Sequence, residues 1–301
     1  MLIKLECLRV GTCRAHTMQS LHALATDTLF YAPWSSLPSV TYLVLTLVIL
    51  TSLELINQFL LKFYSSVHST TFVPVRGKHL DTLSTKDWFF ITVNKLQIPP
   101  FIYLLLHYCH TNTASVPWEL DELTLSNTLL PIPLLFIVYD LFYSLFHRFL
   151  HIKQMYVHIH KHHHHQKAPS RGNLDAVNVH PFEFFGGEYC HWWALYLLNQ
   201  AGLPVHILTI KLFLLLGGIF ATLNHTRFDL NVTLANVRLY CAAAHDVHHR
   251  VPLTNYGQYI MLWDWVLGTY KPYNKEERWD KSKQLDKRAI AGGGVLNRKL
   301  E

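Results

Sequence analysis

Histidine is the residue type in this 301-residue chain whose number and spacing could do chemistry: there are 21, and 15 lie between His147 and His249. Three groups stand out. His147-Arg-Phe-Leu-His151 closes a hydrophobic stretch, and its i, i+4 spacing sets both imidazoles on one helical face, about one turn apart. In the run from His158 to His165 the pattern H-x-x-H-H starts only at His160: Lys161 breaks the frame from His158, and Gln166 breaks those from His162 and His163. The same pattern recurs at His245-Asp-Val-His248-His249. The match singles out His160, His163 and His164 and leaves His158, His162 and His165 as solvated bystanders. Neutral imidazole is the commonest metal ligand, and eight such side chains exceed what one tetrahedral site needs. Two metal ions is the natural count.

Other residues fall around these groups. His225 ends an apolar stretch as His147 does, with a histidine triplet twenty residues later, so the two halves share one arrangement and His225 joins the candidate ligands. Asp229, four residues on, could be a ligand or a hydrogen-bond partner of one. Asp140 lies seven positions before His147, two helical turns back on the same face. A carboxylate costs about 2.5–3.5 kcal/mol against lipid, so Asp140 should face the interior and accept a ligand's free ring N–H, fixing its tautomer. A bond to Tyr139 or Tyr143 is the competing role. His180 is a weaker candidate; His191 and His206 read as structural. His16, His22, His68, His79, His107 and His110 carry no spacing signal.

The elements that must position these residues are apolar. Ser39–Leu61, Leu129–Phe146 and Leu203–Leu223 are long enough to cross a membrane. Ile98–Cys109 and Tyr189–Leu198 are shorter, of the length of buried or re-entrant segments. The expected architecture is therefore an all-α integral membrane bundle of three to five membrane helices, with a cytosolic histidine-rich helical cap holding a dinuclear metal site. Four segments are expected: an N-terminal arm at 1–38, N-terminal membrane helices at 39–128, a catalytic domain at 129–273, and a basic tail at 274–301.

Composition narrows the function classes. Half of the residues are hydrophobic and 15% charged, against about 25% in a soluble domain, which excludes intrinsic disorder. Five scattered cysteines without a CxxC pair exclude a disulfide scaffold. The net charge of +6 gathers in the tail, where Lys271 to Glu301 holds nine Lys/Arg against five Asp/Glu; no basic groove interleaved with aromatics marks a nucleic-acid site. The first thirty residues lack a secretory signal. His110–Ser126 carries only acidic charges, whereas His147–Gly186 carries five Lys/Arg, so the positive-inside rule places the histidine loop and the tail in the cytosol. The sequons Asn224-His225-Thr226 and Asn231-Val232-Thr233 are then expected to stay unmodified.

At these residues the sequence resembles the fatty acid hydroxylase superfamily, the membrane sterol desaturases, sterol methyl oxidases and sphingolipid hydroxylases. The matching strings are DLFYSLFHRFLH (Asp140–His151), HKHHHHQKAP (His160–Pro169) and AHDVHHRVPLTNYGQYIMLWDWVLGTYKPY (Ala244–Tyr273), over about Leu129 to Tyr273. The resemblance implies a non-haem di-iron centre facing the cytosol on the endoplasmic reticulum membrane, with His147, His151, His160, His163, His164, His245, His248 and His249 as ligands. Asn224–Asp229 looks like a further family string, with Arg227 where glycine is usual; His165 stands where an acid is common.

Oxygen activation needs a redox metal with open positions, which histidine-bound iron supplies and zinc does not, although zinc could replace iron in purified protein. The expected reaction is hydroxylation or desaturation of a lipid with O2: a sterol, sphingolipid or fatty acyl chain. No Gly-rich nucleotide motif is present, so electrons should come from a partner, by resemblance cytochrome b5 and its reductase. Two other classes compete: a membrane metal-ion transporter or metal-binding protein with a histidine-rich loop, and a silent zinc-holding scaffold. A transporter would want ligands deep within several spans, for which only Glu54 and Asp140 offer themselves.

Overall fold

The computed structural model of the chain describes residues 82–234 and 237–274, with isolated positions between 48 and 80. The expected Ser39–Leu61 span lies outside the described residues apart from some of those positions, as do the N-terminal arm and nearly all of the tail. Among the described residues four long helices form the body: α1 (Thr85–Thr111), α2 (Pro131–Leu150), α3 (Pro181–Gln200) and α4 (Ile207–Asn224). A hairpin of β1 (Asn231–Leu234) and β2 (Val237–Cys241) follows, then α5 (Ala242–Arg250) and the short α6 (Leu262–Val266).

Local chemistry sets where the long helices begin. Ser84 caps α1 in a reciprocal capping box with Asp87. His180 caps α3 by accepting from Phe182 N, with Pro181 in the first helical position. His206 caps α4 by accepting from Leu208 N, while its Nε2 lies 3.0 Å from Glu119 O. The three histidines read as weaker or structural thus divide plainly: His180 and His206 are caps, and His191 is buried on α3.

Among the described residues, α1, α2 and α4 are long and apolar enough to cross a membrane, spanning about 40, 30 and 27 Å at 1.5 Å per residue. The stretch Ile98–Cys109 is the second half of α1, which continues through Pro99-Pro100. The prolines remove two backbone donors, a defect a membrane helix tolerates when neighbours supply polar contacts. Close by, Asn94 Nδ2 donates to Val177 O and Val179 O. Tyr189–Leu198 belongs to α3, which carries Glu183, Glu188 and His191 and packs mainly on α2. Leu135, Leu195 and Phe213 form the centre of the core, with Phe136 edge-on to Phe213. Outward, α1 shows Trp88, Phe89 and Leu96, as lipid contact requires.

Among the described residues the fold departs from an all-helical one only in the antiparallel hairpin, where Asn231 pairs with Cys241 and Val232 with Tyr240. The hairpin carries the chain from α4 to α5, and Tyr240 locks it by donating to Asn224 Oδ1 at 2.8 Å.

Candidate metal centre

Nine histidines converge at one end of the bundle. His147 lies in the last turn of α2 and His151 directly follows it. His160 ends a π turn (Tyr156–His160), His163 and His164 open a 3-10 turn (His163–His165), and His225 closes α4. His245, His248 and His249 come from α5. The rings sort into two groups, His147/His151/His160/His164/His248 and His163/His225/His245/His249, with the donor atoms of each within 4.8 Å of one another. Each H-x-x-H-H triplet is shared out: its i and i+4 members enter one group and its i+3 member the other.

Backbone carbonyls fix the ring orientation. Nδ1 of His147, His225, His248 and His249 lies 2.7–3.0 Å from the carbonyls of Tyr256, Ala221, Thr254 and Gln166. A carbonyl only accepts, so each Nδ1 carries the proton and each Nε2 presents a bare lone pair. His245 Nε2 stands 3.1 Å from both His225 Nε2 and His249 Nε2, and a single N–H cannot serve both. In the other group the chain His147–His160–His164–His248 runs Nε2 to Nε2 at 3.0, 2.9 and 3.0 Å. Protons on His160 and His164 that served the outer rings would oppose each other across the central contact. A cation within each group resolves both conflicts. The spacing also suits donors sharing an ion at about 2.1 Å, which puts adjacent nitrogens roughly 3.0–3.4 Å apart. His164 Nδ1 and His245 Nδ1 are buried without a protein partner, a further sign that the protein alone does not satisfy these rings.

Charge state agrees with this reading. Burial, then the neighbouring imidazoles, holds His160, His163, His164, His245, His248 and His249 well below the ordinary histidine value of 6.5. They are neutral, as metal ligands must be.

The bystanders separate as the register implies, with one difference. His158 and His165 are exposed. His162 is instead partly buried, its Nε2 2.9 Å from Asn178 Oδ1 and 3.1 Å from Asp87 Oδ1. It ties the histidine turn to the start of α1.

Two carboxylates do something other than expected. Asp140 is fully buried but meets no imidazole, Tyr139 or Tyr143; it accepts from the backbone N–H groups of Gln258, Tyr259 and Ile260. Asp229 accepts from Asn231 Nδ2 at the start of β1 and belongs to neither group. The acid at a ring nitrogen is Glu183, with Oε1 2.8 Å from His160 Nδ1. Its signal in the sequence was only its place three residues after His180.

Arg227 holds the ground where glycine is usual. Its guanidinium pairs with Asp246 at 2.7 Å and donates to Val73 O and Pro74 O, while Asp246 also binds buried Arg250 at 2.9 Å. This clamp fixes α5 between His245 and Val247. Asn255 takes the left-handed conformation (φ 54°), which asparagine tolerates, and its side chain bonds Ala244 O and the Lys271 backbone. Gly257 must lack a side chain, since a Cβ would come within 2.6 Å of Ile260 O.

Beside the centre, between α1, α2, α3 and α4, lies a largely apolar cavity of about 510 Å³, within the range of small-molecule sites. Glu183, Ala221 and Tyr143 line its end at the histidines: Ala221 O orients His225, and the Tyr143 ring lies 5.3 Å from that of His147.

Apolar spanning helices under a buried double histidine cage define a membrane protein with a metal-binding cap. Residues 132–269 match the family model described as fatty acid hydroxylase. These residues are thus similar to a fatty acid hydroxylase domain, in keeping with the resemblance seen in the histidine strings. Comparison with curated proteins and with solved structures gives no match.

Proposed function

We propose that this protein is a membrane-bound non-haem di-iron oxygenase that hydroxylates or desaturates a lipid using O2. The observation that supports it most is the convergence of nine imidazoles, with no thiolate among them, on the end of an apolar cavity. Imidazole suits iron as well as zinc or copper, and iron bound there supplies the redox chemistry that oxygen activation requires. The chain's own residues do the rest. The five-histidine and four-histidine groups hold one ion each, with Nε2 of His147, His225, His248 and His249 aimed by their carbonyl partners. The cavity seats a lipid chain and keeps water from it, and Tyr143 and Ala221 bring that chain to the histidines. Electrons arrive from a separate protein, for which cytochrome b5 and its reductase are the proposed source, on the cytosolic face of the endoplasmic reticulum membrane.

The reaction is tested by mass spectrometry of total lipid extracts from cells with and without the gene, and with His248→Ala. A lipid gaining one oxygen or losing two hydrogens only with the unaltered gene supports the proposal; identical extracts contradict it. Orientation is tested at Asn231 alone, because the side chain of Asn224 is buried and bonded to Gln258 O. An endoglycosidase-sensitive shift lost in Asn231→Gln would invert the topology.

A further inference from the structure

Three helices carry a second set of residues at a common depth below the histidines. Tyr139 is eight positions before His147 on α2, Gly217 is eight before His225 on α4, and His191 is eight after Glu183 on α3. Eight residues of helix are about 12 Å. These positions meet. The Tyr139 ring lies 4.3 Å from His191 and 4.7 Å from Tyr259, and His191 Nε2 is 3.2 Å from the Tyr259 hydroxyl. Gly217 leaves room for that pair, since a Cβ there would stand 2.8 Å from the hydroxyl oxygen. Glu188, nearly one turn before His191, lies 4.0 Å from its Nδ1, is 29% exposed, and lines the same cavity. Ionisable groups inside a membrane bundle are costly and mark functional sites, and metal binding makes no use of these.

We propose that Glu188, His191 and Tyr259 form a second binding site in the cavity that takes the hydroxyl group of a lipid alcohol. The lipid O–H is shared between Glu188 and the Tyr259 oxygen, whose own proton goes to His191 Nε2 because His191 Nδ1 is held by Glu188 O. The carbon presented to the histidine centre is then chosen by its distance from the hydroxyl, about 12 Å along the bundle. The inference rests on the lipid-oxidation reading for what fills the cavity, but binding can be measured without the reaction.

The test is equilibrium binding of radiolabelled 1-octadecanol to the full chain in detergent, competed by unlabelled 1-octadecanol or by octadecyl methyl ether, which keeps the oxygen and loses the donor. Competition is run on metal-loaded and on metal-stripped protein. The alcohol is expected to compete about tenfold better than the ether in both, the scale of a hydrogen bond to a charged group. Glu188→Gln and Tyr259→Phe should each reduce that preference to under about threefold while leaving the melting transition in place. Equal competition in the unaltered chain, or a preference kept in both variants, overturns the proposal. Should Glu188→Gln fail to fold, Tyr259→Phe, which removes one oxygen atom, decides alone. A preference that persists in a protein whose gene changes no cellular lipid sinks the reaction and leaves this site standing.

Discussion

Asp140 and Asp264 divide five consecutive backbone N–H groups between them: Asp264 accepts from Tyr256 and Gly257, and Asp140 from Gln258, Tyr259 and Ile260. Both side chains are fully buried, and Asp264 also accepts from the Thr269 hydroxyl. The loop so held gives the Tyr256 carbonyl to His147 Nδ1 and the Tyr259 hydroxyl to His191. Two acids that meet no imidazole therefore aim one of the metal-facing rings.

Asp140→Asn keeps the shape but loses the charge that three N–H groups share, and turns an NH2 toward donors. Hydrogen bonds to charged groups contribute about 1.5–3 kcal/mol each, so a loss of about 3 kcal/mol in unfolding free energy is expected, together with less bound metal. Denaturant unfolding and metal analysis check this; unchanged values in both would contradict the role given to Asp140.

Histidine substitutions should sort by group membership. His163→Ala and His248→Ala are each expected to lower bound metal and abolish turnover, having removed a donor from one group each. His158→Ala and His165→Ala should retain both. His162→Ala should keep its metal and lose stability, by about 1–3 kcal/mol, because its ring joins Asp87 and Asn178 rather than either group. Elemental analysis of the five purified variants distinguishes these outcomes.

Glu183 Oε1 lies 2.8 Å from His160 Nδ1, close enough to hold that side of the ring and leave Nε2 for an ion. Losing such a partner typically costs about 10–100-fold in metal affinity. Glu183→Gln should fall in that range by competition with a chelator, with both ions still bound at saturating metal. An affinity equal to that of the unaltered chain would remove Glu183 from the centre.

Acidity acts through the same rings. In the folded, metal-free chain, burial keeps His160, His163, His164, His245, His248 and His249 neutral well below pH 6.5, whereas the unfolded chain takes up protons near 6.5. Below that pH the unfolded state binds more protons, so stability falls as pH falls, by up to about 1.4 kcal/mol per unit for each such ring. Above it both states are neutral and the dependence vanishes. Bound metal shifts the same way, since protons compete for Nε2. Unfolding measured from pH 6.5 to pH 5 should show stability falling as the histidines of the unfolded chain take up protons; net stabilisation over that range would contradict the buried neutral cage.

Which histidines converge was legible in the sequence, because only His160 opens an H-x-x-H-H frame that matches the one at His245. How they divide was not. Residues i+3 and i+4 of a helix are turned about 100° from each other, so His163 and His164 leave the chain toward different groups, a choice that only the arrangement of α2, α4 and α5 fixes. Helical spacing gave Asp140 its inward face, yet its partners lie 118–120 residues later, beyond any local pattern. The first half of α1 was hidden because Lys86, Asp87, Asn94, Lys95 and Gln97 interrupt its apolar residues before Ile98, polar positions that only packing against neighbouring elements explains. Glu183 was obscured for the reason Asp140 was: its partner is set by tertiary packing.

The central claim is that two ions sit in one chain, each held by imidazole nitrogen. Iron-edge X-ray absorption, combined with elemental analysis of the purified full-length protein, tests it most directly. The account predicts two irons per chain, a first coordination sphere of nitrogen and oxygen without sulfur, and loss of nitrogen scattering in His248→Ala. Less than one metal per chain after iron loading, or a spectrum unchanged by His248→Ala, would contradict it.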